Sequence, residues 1–198
     1  VGSEMCIRDR NYYKQWYVPN NMAICMSGDL DPDATIALID KYFGGLKPNP
    51  ELPKLDLPKE APITQPVVKE VLGPDAESVA LAWRFPGVSD KDFEILQVVS
   101  QVLYNGKAGL IDLDLNQQQK VLNSYGYPMG LADYSALLLG GLPKQGQTLE
   151  EVKDLLLSEI KKLRAGEFDE KMLEANINNF KLGELQNMES NEGRADMF

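Results

Sequence analysis

Two hydrophobic periods alternate along the chain. Residues 22–26 (Met-Ala-Ile-Cys-Met) are a short apolar run between the breakers Pro19, Asn20 and Asn21 on one side and Gly28 on the other, which predicts a strand covered on both faces. Pro19 also ends the helix expected to carry Tyr12, Tyr13 and Trp16, because proline cannot continue a helix and biases its predecessor to extended geometry. Beyond Gly28, Asp31 stands where an N-cap belongs, Pro32 at the first helical position and Asp33 in the first turn, where the helix dipole favours negative charge. Ala34, Ala37, Leu38, Tyr42 and Phe43 follow at helical spacing.

Residues 46–66 contain Pro48, Pro50, Pro53, Pro58, Pro62 and Pro66 among alternating charges, a composition that favours extended, semi-rigid chain and marks a linker. Residues 67–72 and 77–85 then read as strands. Val79, Leu81, Trp83 and Phe85 alternate with smaller or polar residues in the second, and the turn residues Gly73, Pro74 and Asp75 between the two predict an antiparallel pair. Ser89 with Asp92 suggests a helix start, followed by Phe93, Leu96, Val99, Val102 and Leu103 on one face up to Asn105 and Gly106. Residues 107–119 are irregular, with Leu110, Leu113 and Leu115 pointing to part helix. Residues 121–129 and 134–139 predict a second strand pair with Gly130 in the turn. Thr148 and Glu151 form a full capping box for a helix that ends at Gly166, and Asp169 caps a last helix through Leu173, Ile177, Phe180 and Leu185. Strand pairs and helices in blocks, rather than in strict alternation, argue for an α+β fold: an antiparallel sheet with helices packed on it.

Composition narrows the function. At 198 residues the chain can hold one good core or two small ones, and its net charge of −10 argues against nucleic acid while favouring cationic ligands or peptides. Two cysteines, Cys6 and Cys25, do not make a disulfide framework, and compartment stays undetermined.

Four groups of residues look like sites at first sight. Asp29, Asp31 and Asp33 occupy the first acidic positions of a calcium loop, but Ala34 replaces the turn glycine, Asp40 replaces the closing glutamate, and Pro32 starts a helix; a cap is the better reading. Asn105-Gly106-Lys107-Ala108-Gly109 lacks the spacing and the hydroxyl of a phosphate loop. Glu150 with Glu151 reads as helix N-terminal chemistry, and Asp112 with Asp114 as a solvated face rather than an acid/base pair.

The order Tyr-Val-Pro-Asn-Asn (residues 17–21), apolar strand, Ser-Gly-Asp, Asp-Pro, amphipathic helix and Tyr42-Phe43-Gly44 resembles the insulinase/pitrilysin family of zinc metallopeptidases, where it marks the end of one structural domain just before a linker. The resemblance continues through residues 78–86, 105–115 and 148–175. It implies the last helix, strand and helix of a preceding domain over 11–45, a linker over 46–66 and a C-terminally truncated α+β domain over 67–198. Residues 1–10 match nothing the family has there and read as a non-native leader, with a divergent helix start as the alternative. The family's zinc motif, H-x-x-E-H, needs two histidines, and this chain has none. No catalytic, cofactor or metal residue is therefore assigned to it; zinc belongs to the parent protein or a partner chain.

Many family members carry Ser-Arg-Leu where this chain reads Ala108-Gly109-Leu110, so the substrate-reaching arginine is a glycine, and Tyr125, Tyr127 and Tyr134 are left without a role. What the resemblance implies is a non-catalytic portion of the substrate chamber of a zinc metalloendopeptidase acting on extended peptides, docked against a zinc-bearing half upstream or in another chain. The alternative is an inactive scaffold or partner subunit of the same fold.

Overall fold

The computed structural model describes residues 2–54, 56 and 58–197, with side chains from Cys6 onward. Val1 of the expected leader, Leu55 and Leu57 of the expected linker, and Phe198 lie outside the described residues. The chain falls into two compact units, residues 1–69 with 184–198, and residues 70–183. The division differs from the expected 67–198 domain in that the C-terminal residues group with the N-terminal ones.

In the first unit, α1 (Gly2–Trp16) runs unbroken through the stretch expected to be a leader. No proline or glycine interrupts residues 3–16. Pro19 stops the helix as expected, through a single 3-10 turn, Pro19–Asn21. The two asparagines each take a job: Asn21 Nδ2 donates to Trp16 O (2.9 Å), capping α1, while Asn20 exchanges two hydrogen bonds with the backbone of Asn49 (2.8 and 3.0 Å).

The expected strand at 22–26 does not form. Its backbone leaves the 3-10 turn extended at Met22, but no strand pairs with it among the described residues, and Met22, Ile24 and Met26 are exposed. An apolar run covered on both faces needs neighbours to supply both hydrogen bonds and cover, and no described residues of this unit form a strand to do so. α2 (Pro32–Phe43) starts as predicted, Asp31 accepting from Ala34 N at 2.9 Å. α6 (Asn191–Asp196) was not anticipated; Ser190 caps it, and Arg194 donates from Nε to Ser27 Oγ (3.0 Å) and from Nη1 to Met188 O (2.7 Å). The bond to Ser27 spans 167 residues and helps place the C-terminal residues with the first unit.

The second unit is built on a three-stranded antiparallel sheet, order β1-β3-β2, from β1 (Val79–Pro86), β2 (Asn123–Gly130) and β3 (Tyr134–Leu142). The predicted hairpin between 67–72 and 77–85 is replaced by pairing of β1 with β3, Val79 opposite Gly141 through Pro86 opposite Tyr134. Residues 67–72 stay outside any strand, Val68 89% and Leu72 92% exposed. Local turn chemistry at Gly73-Pro74-Asp75 permitted a hairpin; the competing partner, β3, gives β1 a register of eight pairs and a buried face. The second predicted pair is present, β2 against β3, extended to Leu142.

α3 (Lys91–Leu103), α4 (Leu149–Ala165) and the first part of α5 (Lys171–Glu189) complete this unit. The α3 cap is Asp90, which accepts from Asp92 N at 2.9 Å, one residue beyond the expected Ser89. α4 has the predicted capping box, and Gly166 ends it in the left-handed conformation (φ 72°) that glycine adopts without strain. α3 and α4 pack on the sheet, and Leu96, Val102, Leu103, Leu137, Leu139, Val152 and Leu156 form the core with Ile111 and Leu115. Gly141 is required in this layer, since a Cβ there would collide with the Cγ1 of Val152.

Candidate functional site

The sheet has unlike faces. Because side chains alternate along a strand, the register puts Val79, Leu81, Trp83 and Phe85 with Leu137 and Leu139 under the helices, and Ala80, Ala82, Arg84, Tyr134, Ala136, Leu138, Tyr125, Tyr127 and Met129 on the opposite face. The three tyrosines without a sequence-assigned role thus share one surface. Tyr125 stacks on Tyr127 (centroids 6.2 Å, planes 16° apart) and lies over Gly140, and Arg84 sits 5.0 Å from the centre of the Tyr134 ring, a cation–π contact.

The two sheet edges also differ. Leu131 N donates to Tyr134 O (3.1 Å), so the even residues of β3 bond to β2 and its odd residues to β1. The peptide groups of Ala80, Ala82 and Arg84 then point to the outer edge of β1, where no strand lies among the described residues. On β2 the corresponding outward residue, Ser124, is already occupied: Asn116 Oδ1 accepts from its N–H, Asn116 Nδ2 donates to its carbonyl (both 2.8 Å), and Pro128 further along has no N–H to offer. One asparagine side chain plays the part of a neighbouring strand at Ser124.

Beside Asn116 lies a polar cavity of about 320 Å³ lined by Tyr104, Lys107, Asp112, Gln117, Leu122 and Asn123 among others. Its wall is the loop at 105–109 and a π-helical turn, Asp112–Asn116. The loop does not cradle phosphate: Asn105 Oδ1 accepts from the N–H groups of Lys107 (3.1 Å) and Ala108 (2.9 Å), and Asp112 Oδ2 accepts from those of Asn105 (2.9 Å) and Gly109 (3.0 Å). The amides an anion would use are spent on the protein's own side chains. Gly109 itself is closely packed, a Cβ there falling 2.6 Å from Leu103 O, so the position of the family's arginine is here a point of backbone contact.

The reading of Asp112 and Asp114 as a solvated face is corrected. Asp112 is only 5% exposed and holds the loop, whereas Asp114 Oδ2 meets Lys162 Nζ at 2.6 Å, with Lys162 also bonded to Glu159 Oε1 and Oε2 (2.9 and 3.1 Å). The hydrogen bond from Lys162 holds the Asp114 carboxyl below its ordinary range against the opposing effect of burial, and the same bond raises the lysine. Glu159, 1% exposed, was invisible to sequence reasoning because its partner Lys162 lies one turn along what reads as an ordinary amphipathic helix. Glu151 behaves as the capping box predicts, its carboxyl lowered by the backbone N–H and then the hydroxyl of Thr148. Asp31 serves as a cap, and no three metal-ligating side chains converge among the described residues.

A helix-backed antiparallel sheet with an aromatic open face defines an α+β domain. The family profile described as the Peptidase M16 inactive domain matches residues 10–180, and the chain belongs to that family, the insulinase/pitrilysin type that the motifs resemble. A curated relative, the zinc protease PqqE of Helicobacter pylori, is 26% identical over 196 residues, covering 96% of this chain and 44% of the relative. The crystal structure of a protease from Helicobacter pylori superposes with a TM-score of 0.68 at 24% identity, covering 87% of this chain and 43% of that one. That of the periplasmic protease PqqL from Escherichia coli has a TM-score of 0.55 at 19% identity over 95% of this chain and 21% of its own. The chain spans less than half the length of these proteins.

Proposed function

We propose that this inactive domain is part of the peptide-holding chamber of a zinc metalloendopeptidase, and that it docks against a zinc-bearing half encoded upstream or carried by another chain. The observation that carries the reading is the outer edge of β1, paired by no strand among the described residues and lying beside an aromatic and apolar sheet face, while on the β2 edge Asn116 takes up the outward groups of Ser124. An extended peptide can add to such an edge, its backbone bonding to the outward groups of Ala80 and Ala82 and alternate side chains reaching Leu138. The sequence has no histidine for the family's H-x-x-E-H zinc motif, which supports a binding rather than a catalytic part. Its part is to bind and orient.

Ala82→Pro tests this directly. Proline removes the outward N–H while leaving the β1–β3 bonds, which come from the odd residues of β1, and an edge strand tolerates it. By fluorescence anisotropy with labelled extended peptides, one lost backbone hydrogen bond should weaken binding roughly two- to tenfold. Unchanged affinity would remove the β1 edge from the reading; no peptide binding by the wild-type chain would favour the inactive scaffold or partner subunit instead.

A further inference from the structure

We propose that the cavity beside Asp112 is a subsite for a basic peptide side chain, a lysine or arginine, which rests on the peptide-chamber reading but concerns a separate surface. Asp112 is almost wholly buried, yet lines this cavity. Its Oδ2 receives both loop amides, while among the described residues its Oδ1 receives no hydrogen bond and the carboxylate forms no ion pair. That oxygen opens to the cavity rather than being sealed from water, since the buried unpartnered side-chain atoms among the described residues are Ser100 Oγ and Asn176 Nδ2, and a cation entering there is the donor that gains most.

The rest of the lining suits the same guest. Tyr104 and Leu122 offer apolar surface to the methylenes of a long side chain, and Gln117 and Asn123 offer amide oxygens to a second N–H. Gln117 Nε2 donates to Lys107 O (2.9 Å), which leaves the Gln117 Oε1 as an acceptor and ties the cavity wall to the loop. The π-helical turn that presents Asp112 and Asn116 is followed by Gln119 at φ 52°, a left-handed conformation that a non-glycine residue adopts at some cost. Lys107 is the one cation lining the cavity among the described residues and opposes a cationic guest, so it tunes the site without filling it.

The probe is N-acetyl-lysine methylamide against its norleucine analogue, followed by amide chemical shifts of Asn105 and Gly109, the two N–H groups bonded to Asp112. The lysine probe should shift both and the norleucine analogue neither. In matched peptides the lysyl form should bind about tenfold tighter, the gain of a charge-assisted hydrogen bond, and the advantage should shrink with added salt. Asp112→Asn keeps an oxygen for both loop amides but puts an amide group where Oδ1 stands; it should abolish the preference with little change in thermal midpoint. Lys107→Ala should enlarge the preference. Equal response to the two probes in the wild-type chain, or a lysine preference that survives Asp112→Asn, overturns the proposal. A response to the small lysine probe by a chain that binds no extended peptide keeps the subsite and removes the chamber reading.

Discussion

Leu156→Ala separates the core of the second unit from residues that only look as if they belong to it. Leu156 is fully buried between α4 and the sheet, in the layer where Val152 packs against Gly141. Truncation to alanine removes three carbons, about 2.4 kcal/mol at ~0.8 kcal/mol per methylene, and the cavity left in a rigid helix–sheet interface adds to this, for a total of about 2 to 5 kcal/mol. Against a stability of roughly 5–15 kcal/mol for a small domain that is a large fraction.

Val71→Ala is the matched control: residues 67–72 resemble a strand in sequence, yet Val71 is 89% exposed, so its truncation should cost less than about 0.5 kcal/mol. Urea unfolding is the assay, read by Trp83 of β1 in a Trp16→Phe background so that the fluorescence reports the second unit alone. The midpoint should move at constant slope. A loss under about 1 kcal/mol for Leu156→Ala, or losses of similar size for the two variants, would refute this account of the core and place 67–72 in the sheet.

Thr148→Ala removes the hydroxyl that accepts from Glu151 N (3.2 Å) and should lower stability by ~1 kcal/mol in the same assay. The Asp114–Lys162 pair predicts a pH profile: the depressed Asp114 contributes stability that is complete above its ordinary value of 3.8 and is lost as pH falls through the folded pKa below it, while the raised Lys162 contributes stability that is complete below 10.5 and lost as pH rises beyond. Lys162→Met should flatten both limbs relative to wild type in melting curves taken across pH; two unchanged limbs would show that the pair does not couple to folding. The Ala82→Pro and Asp112→Asn experiments complete the set by addressing the edge and the cavity separately.

Some features of this protein are legible residue by residue. The caps at Asp31 and Thr148, the stop at Pro19 and the left-handed Gly166 were all readable, because each is decided within four residues by hydrogen bonding and steric rules that tertiary context seldom overrides. The family was readable for a related reason: its joints are runs of such local signals in a fixed order, and the missing histidines exclude a histidine-ligated zinc centre without any structure.

Strand pairing was not local, and there the tertiary structure decided. Residues 22–26 and 67–72 have strand sequences, but a strand exists only when another supplies its hydrogen bonds, and β3, some fifty residues beyond β1, took the position that the neighbouring segment was expected to fill. Burial of polar groups was decided in the same way. Asp112 and Asp114 are two residues apart and look alike in sequence, yet one turns inward to hold the loop at 105–109 and the other meets Lys162, 48 residues away, because a π-helical turn and the approach of α4 set their surroundings. Sequence spacing determines which face of an element is apolar; what that face or edge meets depends on the energy of contacts between distant segments.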